Sequence, residues 1–199
     1  MAMAIDRRPR YRAATMAKKI ALGVFGILAA FVLIVLILAA TKPDTVEIKR
    51  SLVMHGTPAQ VFPYASDYTK FTTWIPWTKL DPEQTTRFSD PTAGVGAWYT
   101  WTGNDQVGSG RMDLLSAEPG KVVHKLQFIE PFASVAESSV IMHAVGEDEV
   151  EVTWNYVQDA DFMTKLMCVF MDMDAMMGPD FEKGLANLKA LVEADPAAP

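Results

Sequence analysis

The 199-residue chain has one cysteine, Cys168, and only three histidines, His55, His124 and His143. A lone thiol excludes an intrachain disulfide, so a folded part must be held together by its core. The histidines are scattered, and no His, Cys or Glu cluster has ligand spacing. That pattern speaks against a zinc centre, and neither a metal nor another cofactor is expected. No Gly-x-Ser-x-Gly elbow occurs, and Cys168 stands in an apolar stretch without a neighbouring base, so nucleophilic catalysis has no residue set to work with. Gly94-Val95-Gly96 and Gly108-Ser109-Gly110 lack the strand, loop and helix context of a phosphate cradle. They read as strand ends and bulges.

Positive charge is scarce beyond the first nineteen residues. Of the 18 basic and 24 acidic residues, six basic and one acidic (Asp6) precede Ile20. That leaves twelve basic against 23 acidic residues after Ala40, a net charge of −11, on which nucleic-acid binding is not expected.

What the chain does have is one long apolar run, Ile20 to Ala40, without a charged or polar side chain. As an α-helix it reaches about 31 Å, close to the hydrocarbon thickness of a bilayer. Lipid offers the backbone no hydrogen bonds, so such a segment must be helical. Arg7, Arg8, Arg10, Arg12, Lys18 and Lys19 precede it, against Lys42, Lys49 and Arg50 shortly after. This asymmetry puts the N-terminus in the cytoplasm and the remainder on the periplasmic side of a bacterial inner membrane. A cleaved signal peptide is the competing reading, with Ala39-Ala40 as its small residues. Signal cores usually run about 7–15 residues, so the longer run here reads as an uncleaved single-pass anchor. The expected division is a basic cytoplasmic tail (1–19), a transmembrane helix (20–40), a linker (41–45), one folded domain (46–194) and a disordered tail (195–199).

Within the domain, Val46, Ile48 and Leu52 alternate with polar residues, which predicts a strand with one buried face and places Arg50 in the inward register. Thr57-Pro58 starts a short helix, limited by Pro63, and Asp67 caps a second that ends at Ile75-Pro76-Trp77. From Thr85 on, alternating segments separated by turns predict about six antiparallel strands, including 94–102, 107–117 and the stretches around Val122–Ile129, Ala136–His143 and Val150–Tyr156. Asp161 is a candidate N-cap for a closing helix. Gly178-Pro179 predicts a break in it, and Phe181, Leu185, Leu188 and Val192 form a stripe, with Gly184 allowing close approach to the sheet. The expected class is α+β, a seven-stranded twisted antiparallel sheet gripping a long C-terminal helix, with two short helices after the first strand.

The strings VFPYASDYTKFTTWIPWTKLDP, GVGAWYTWTGN, VGSGRMDLLSAEPGKVVHKLQF and FEKGLANLKALVEA resemble the SRPBCC superfamily. Within it they are similar to members of the polyketide cyclase/dehydrase and lipid transport type, relatives of START-like and birch-pollen-allergen-like domains. The resemblance covers roughly residues 46–194. It implies a helix-grip fold with a pocket for apolar or amphipathic small molecules and does not imply one reaction.

On the resemblance and the pattern together, the expected pocket has Trp74 and Trp77 at its mouth. Its walls would come from Trp98, Met112, Leu126, Phe128, Val140, Met142 and Trp154 on the strands, and from Phe170, Met173, Met177 and Phe181 on the closing helix. His124, in the dry register, reads as a neutral core residue first and as a weak acid–base candidate second. His55 and His143 are expected at the surface. Met163, Met167, Met171, Met173, Met176 and Met177 suit core packing or an adaptable pocket wall. Soft-metal binding fits less well, because residues two apart on a helix diverge. The reading these residues favour is a membrane-anchored carrier or sensor for a lipid or similar apolar molecule, with the bilayer as partner. An accessory subunit contacting other membrane proteins and a cyclase/dehydratase using His124 are the alternatives.

Overall fold

A computed structural model describes residues 8–194, with side chains from Lys18 onward and at Met16. The first seven residues, part of the expected basic tail, and Asp195 to Pro199, expected to be disordered, lie outside the described residues. The chain divides into two compact units. One contains α1 (Arg8–Ala40) and α4 (Phe162–Phe170), which pack on each other. Lys18–Ala40 is long and apolar enough to cross a membrane, a property that a membrane anchor and a signal sequence share.

The second unit is a seven-stranded sheet with three helices. Its strands are β1 (Thr45–His55), β2 (Thr85–Phe88), β3 (Trp98–Thr102), β4 (Ser109–Glu118), β5 (Lys121–Glu130), β6 (Ser134–Ala144) and β7 (Glu149–Asp159). They run in the order β1-β7-β6-β5-β4-β3-β2, with every neighbouring pair antiparallel. Tight turns join β3 to β7 in sequence, so β1 closes the sheet by pairing with β7, Thr45 opposite Asp159. The order matches the helix-grip architecture expected from the sequence.

Local chemistry sets the helix starts. Thr57 and Gln60 form a reciprocal capping box at α2 (Pro58–Ser66), whose first turn holds Pro58. Asp67 Oδ1 accepts the Thr69 amide at 2.9 Å to begin α3 (Tyr68–Trp74), which leads into a 3₁₀ turn, Pro76–Lys79. Asp161 caps α4 through the Thr164 amide at 2.7 Å.

The closing helix departs from expectation. The break falls at Met171-Asp172, and α5 (Met173–Ala194) then runs unbroken through Gly178-Pro179. Asp172 restarts the helix by accepting the Ala175 amide at 3.1 Å. A proline in a helix interior removes one backbone bond and crowds the preceding turn. Here Arg50 of β1 bridges that weak point. Its Nε donates to Glu182 at 2.8 Å, and Nη1 and Nη2 donate to the two oxygens of Asp174 at 2.8 and 2.9 Å, so one guanidinium ties the turns on both sides of Pro179. A Cβ at Gly178 would collide with Arg50, which explains a glycine at that position. Arg50 thus reaches acidic partners from its inward register: Asp174 in the first turn of α5 and Glu182 two turns on.

The predicted stripe packs as expected. Phe181, Leu185, Leu188 and Val192 are buried, and α5 runs along β1 and touches β7, α3 and the 3₁₀ turn. Gly184 faces Trp154, whose Cζ3 would lie 2.6 Å from a Cβ there. The core of this unit is rich in aromatic residues, with Tyr68, Phe71, Trp74 and Trp154 all but sealed from solvent.

Candidate functional site

β3 begins at Trp98, so alternation turns Tyr99 and Trp101 inward and sends Trp98 to the opposite face. Register puts Tyr99 opposite Met112 and Trp101 opposite Gly110. Gly110 has no side chain because the Trp101 ring occupies the space above it, at an irregularity in the β4–β5 pairing. The next strands contribute Leu126 and Phe128 from β5, Ser138 from β6, and Trp154 and Tyr156 from β7. Phe71 and Ile75 from the α3 end, Trp77 and Thr78 from the 3₁₀ turn, and Met177 and Phe181 from α5 complete the enclosure.

Between these groups lies a cavity of about 180 Å³. Its deep wall is fully buried: Phe71, Tyr99, Trp101, Met112, Ser138, Trp154, Tyr156 and Phe181. Trp77, Thr78, Gln84, Gln106 and Val107 are more exposed, and Thr78, Gln84 and Gln106 bring neutral polar side chains to this side. Rings set the wall's shape. Trp154 sits 4.3 Å from Phe181, 4.7 Å from Trp74 and 5.6 Å from Trp77, centroid to centroid. Pairs of this kind add about 0.5–1.5 kcal/mol each beyond area burial.

Several polar atoms of the deep wall are paired within the fold. Trp154 Nε1 donates to Ser138 Oγ at 3.0 Å, and the Tyr156 hydroxyl donates to Gln158. Burial pushes the Tyr156 hydroxyl up to about 12 and the Tyr99 hydroxyl higher still, so both stay protonated donors. The cavity therefore offers aromatic faces and neutral hydrogen-bonding groups, with no charge in its lining.

Of the residues proposed from sequence, Trp77, Met112, Leu126, Phe128, Trp154, Met177 and Phe181 meet around this cavity. Trp74 is sealed in the core behind it, with its Nε1 donating to the Tyr64 carbonyl at 2.9 Å. Val140 and Met142 are core residues outside the lining. Trp98 carries the Arg111 guanidinium over its ring at 4.6 Å on the other face of the sheet. Phe170 is exposed on α4, and Met173 opens α5 without reaching the cavity. Among the clustered methionines only Met177 lines it, while Met163, Met167, Met171 and Met176 are exposed. Phe71, Ile75, Tyr99, Trp101 and Tyr156 were not singled out as pocket residues. Tyr99 and Trp101 had a signal, since they share the strand face that pairs with Met112.

His124 is fully buried and does not line the cavity. The Tyr68 hydroxyl lies 3.1 Å from its Nδ1, and Nε2 has no hydrogen-bond partner among the described residues. Burial lowers its pKa to about 3, so the ring is neutral. His55 and His143 are exposed. Among the described residues no group of three or more His, Cys, Asp or Glu is placed to hold a metal ion.

Comparison with known proteins agrees with this architecture. Protein CV1439 from Chromobacterium violaceum superposes with a TM-score of 0.52 at 15% identity, covering 76% of this chain and 99% of that one. The hypothetical protein jhp0584 from Helicobacter pylori gives 0.55 at 9% identity, with 76% and 90% covered. The major latex-like protein 151 of Panax ginseng gives 0.50 at 9% identity, with 75% and 98% covered. At such identities the likeness is one of fold. No curated protein matches the chain in sequence. The family model described as polyketide cyclase / dehydrase and lipid transport matches residues 45–193, three quarters of the chain, and the chain belongs to that family.

Proposed function

We propose that this chain is a membrane-anchored binding protein for a small apolar molecule, held in the cavity between sheet and α5. The observation that carries the reading is the cavity itself, walled by Trp101, Phe128, Trp154 and Phe181 and free of charge. An aromatic, water-poor wall favours ligands by removing their apolar surface from water, at about 25 cal/mol per Å². Neutral groups at the open side, Thr78, Gln84 and Gln106, suit the polar end of an amphipathic ligand.

Size narrows the class. Drug-sized ligands occupy about 300–1,000 Å³, whereas a cavity near 150 Å³ takes a single benzene-sized ring. At about 180 Å³ the site fits one small ring system or the end of an acyl chain. A whole lipid tail would have to leave most of its length outside. α1 keeps the chain at a bilayer, with its N-terminus cytoplasmic and the sheet domain periplasmic, where apolar ligands are concentrated.

The enzyme alternative is weaker. A general base must come within hydrogen-bond reach of its substrate, and His124 has neither access to the cavity nor a titration near neutrality. Native mass spectrometry of the full-length chain from mild detergent, followed by organic extraction, tests the proposal. A discrete small apolar mass, lost on denaturation, supports it. A clean apo mass after incubation with membrane extract overturns it and favours the accessory-subunit reading.

A further inference from the structure

α4 is polarised the wrong way round for a helix facing water. Its exposed residues are Phe162, Met163, Met167 and Phe170, all apolar, while its polar side chains Thr164 and Lys165 are half-buried. The exposed four fall within an arc of about 140° at 3.6 residues per turn. A contiguous apolar face of this kind marks a surface that something else covers.

The packing of α4 says what covers it. Its helix partner is α1, whose residues from Lys18 to Ala40 are exposed except for Val35 and Ala39. Those two lie one turn apart at the end of the apolar run that precedes the sheet domain. Chain geometry requires the same neighbourhood. α1 leads into β1 and α4 follows β7, and Thr45 of β1 pairs with Asp159 of β7. The end of a membrane span lies at the lipid–water interface, so α4 sits beside α1 at that depth.

We infer that α4 is a second membrane-contacting element, an interfacial helix whose Phe162, Met163, Met167 and Phe170 face lies among the lipid headgroups and upper acyl chains of the leaflet where α1 ends. The inference rests on the reading of α1 as a membrane anchor. Insertion is driven by apolar area rather than charge, because α4 carries Lys165 as its one charged side chain and the part of the chain after Ala40 is acidic overall. Its membrane contact is therefore indifferent to anionic lipid and to salt.

The test uses the full-length chain in phosphatidylcholine nanodiscs, in a Cys168→Ala background. A bimane fluorophore is attached at Phe170→Cys, and in separate preparations at Met163→Cys and Ile27→Cys. Lipids carrying a nitroxide near the headgroup end of the acyl chain report the interface, lipids with it near the chain end report the bilayer centre, and iodide reports water. The expected result is loss of fluorescence at positions 170 and 163 to the shallow nitroxide, resistance to iodide, and the same profile when anionic lipid is added. Quenching by iodide without quenching by the shallow nitroxide overturns the inference. So does resistance to both, which would mean that protein covers the face. Position 27 separates the two readings: quenching there by the deep nitroxide upholds the anchor whatever α4 does, and its absence removes the anchor itself.

Discussion

The indole N–H of Trp154 donates to the hydroxyl of Ser138 at 3.0 Å, joining β7 to β6 at the deep wall of the cavity. The same indole ring stacks on Phe181 and packs against Gly184, so one residue couples sheet, helix and cavity. Ser138→Ala would leave a buried donor unpaired, at about 1–3 kcal/mol. For a chain of this size that is a fall in Tm of several degrees. Near-UV circular dichroism of the chain in nanodiscs is the measurement, and an unchanged melting curve would show that the bond contributes nothing.

Gly184→Ala tests close packing at the other face of Trp154. The added Cβ would stand 2.6 Å from Cζ3, so either the ring or α5 must move. Overpacking of this sort costs about 1–3 kcal/mol. The variant should melt earlier and lose its near-UV tryptophan signal, whereas a full signal at wild-type Tm would mean that the helix has slack there.

Leu126→Trp fills the cavity from β5, where Leu126 is only half-buried and can be enlarged without invading the sealed core. Its expected effect is loss of the bound apolar molecule in mass spectra with little change in Tm. Retention of the ligand at full stoichiometry would place the binding site elsewhere.

The buried His124 gives stability a pH dependence whose sign follows from its depressed pKa. At neutral pH the ring is uncharged in both folded and unfolded chains. Below 6.5 the unfolded chain takes up a proton that the folded one refuses until about 3, so stability falls with pH through that window. The slope approaches about 1.4 kcal/mol per pH unit. His124→Leu should flatten melting temperature against pH between those limits, at the cost of leaving the Tyr68 hydroxyl without its partner. An equally steep profile in the variant would assign the dependence to other groups.

Much of this arrangement is legible in the chain. Period-two alternation located the strands, Asp67 and Asp161 announced their helices, and the Phe181, Leu185, Leu188, Val192 stripe identified the face of α5 that closes the core. The misses have physical causes. Gly178-Pro179 carries the usual signature of a helix break, yet α5 continues through it, with the distant Arg50 bonded to Asp174 and Glu182 on either side. Trp98, Tyr99 and Trp101 are all aromatic, so the 94–102 stretch alone does not say which face is inward; pairing with β4 sets Tyr99 opposite the cavity residue Met112 and sends Trp98 to the other face. Phe170 is expected in the pocket wall and Met163 in core packing or a pocket wall, yet both face outward, a choice no local pattern can make.

The central claim is that the space walled by Trp101, Leu126, Phe128, Trp154 and Phe181 accepts an apolar guest. The most direct measurement is diffraction from crystals of the full-length chain soaked in bromobenzene, with the anomalous bromine signal locating the guest. An aromatic-walled cavity of about 180 Å³ predicts a single ordered ring among those five side chains. A cavity holding only hydrogen-bonded water under the same soak would contradict the account.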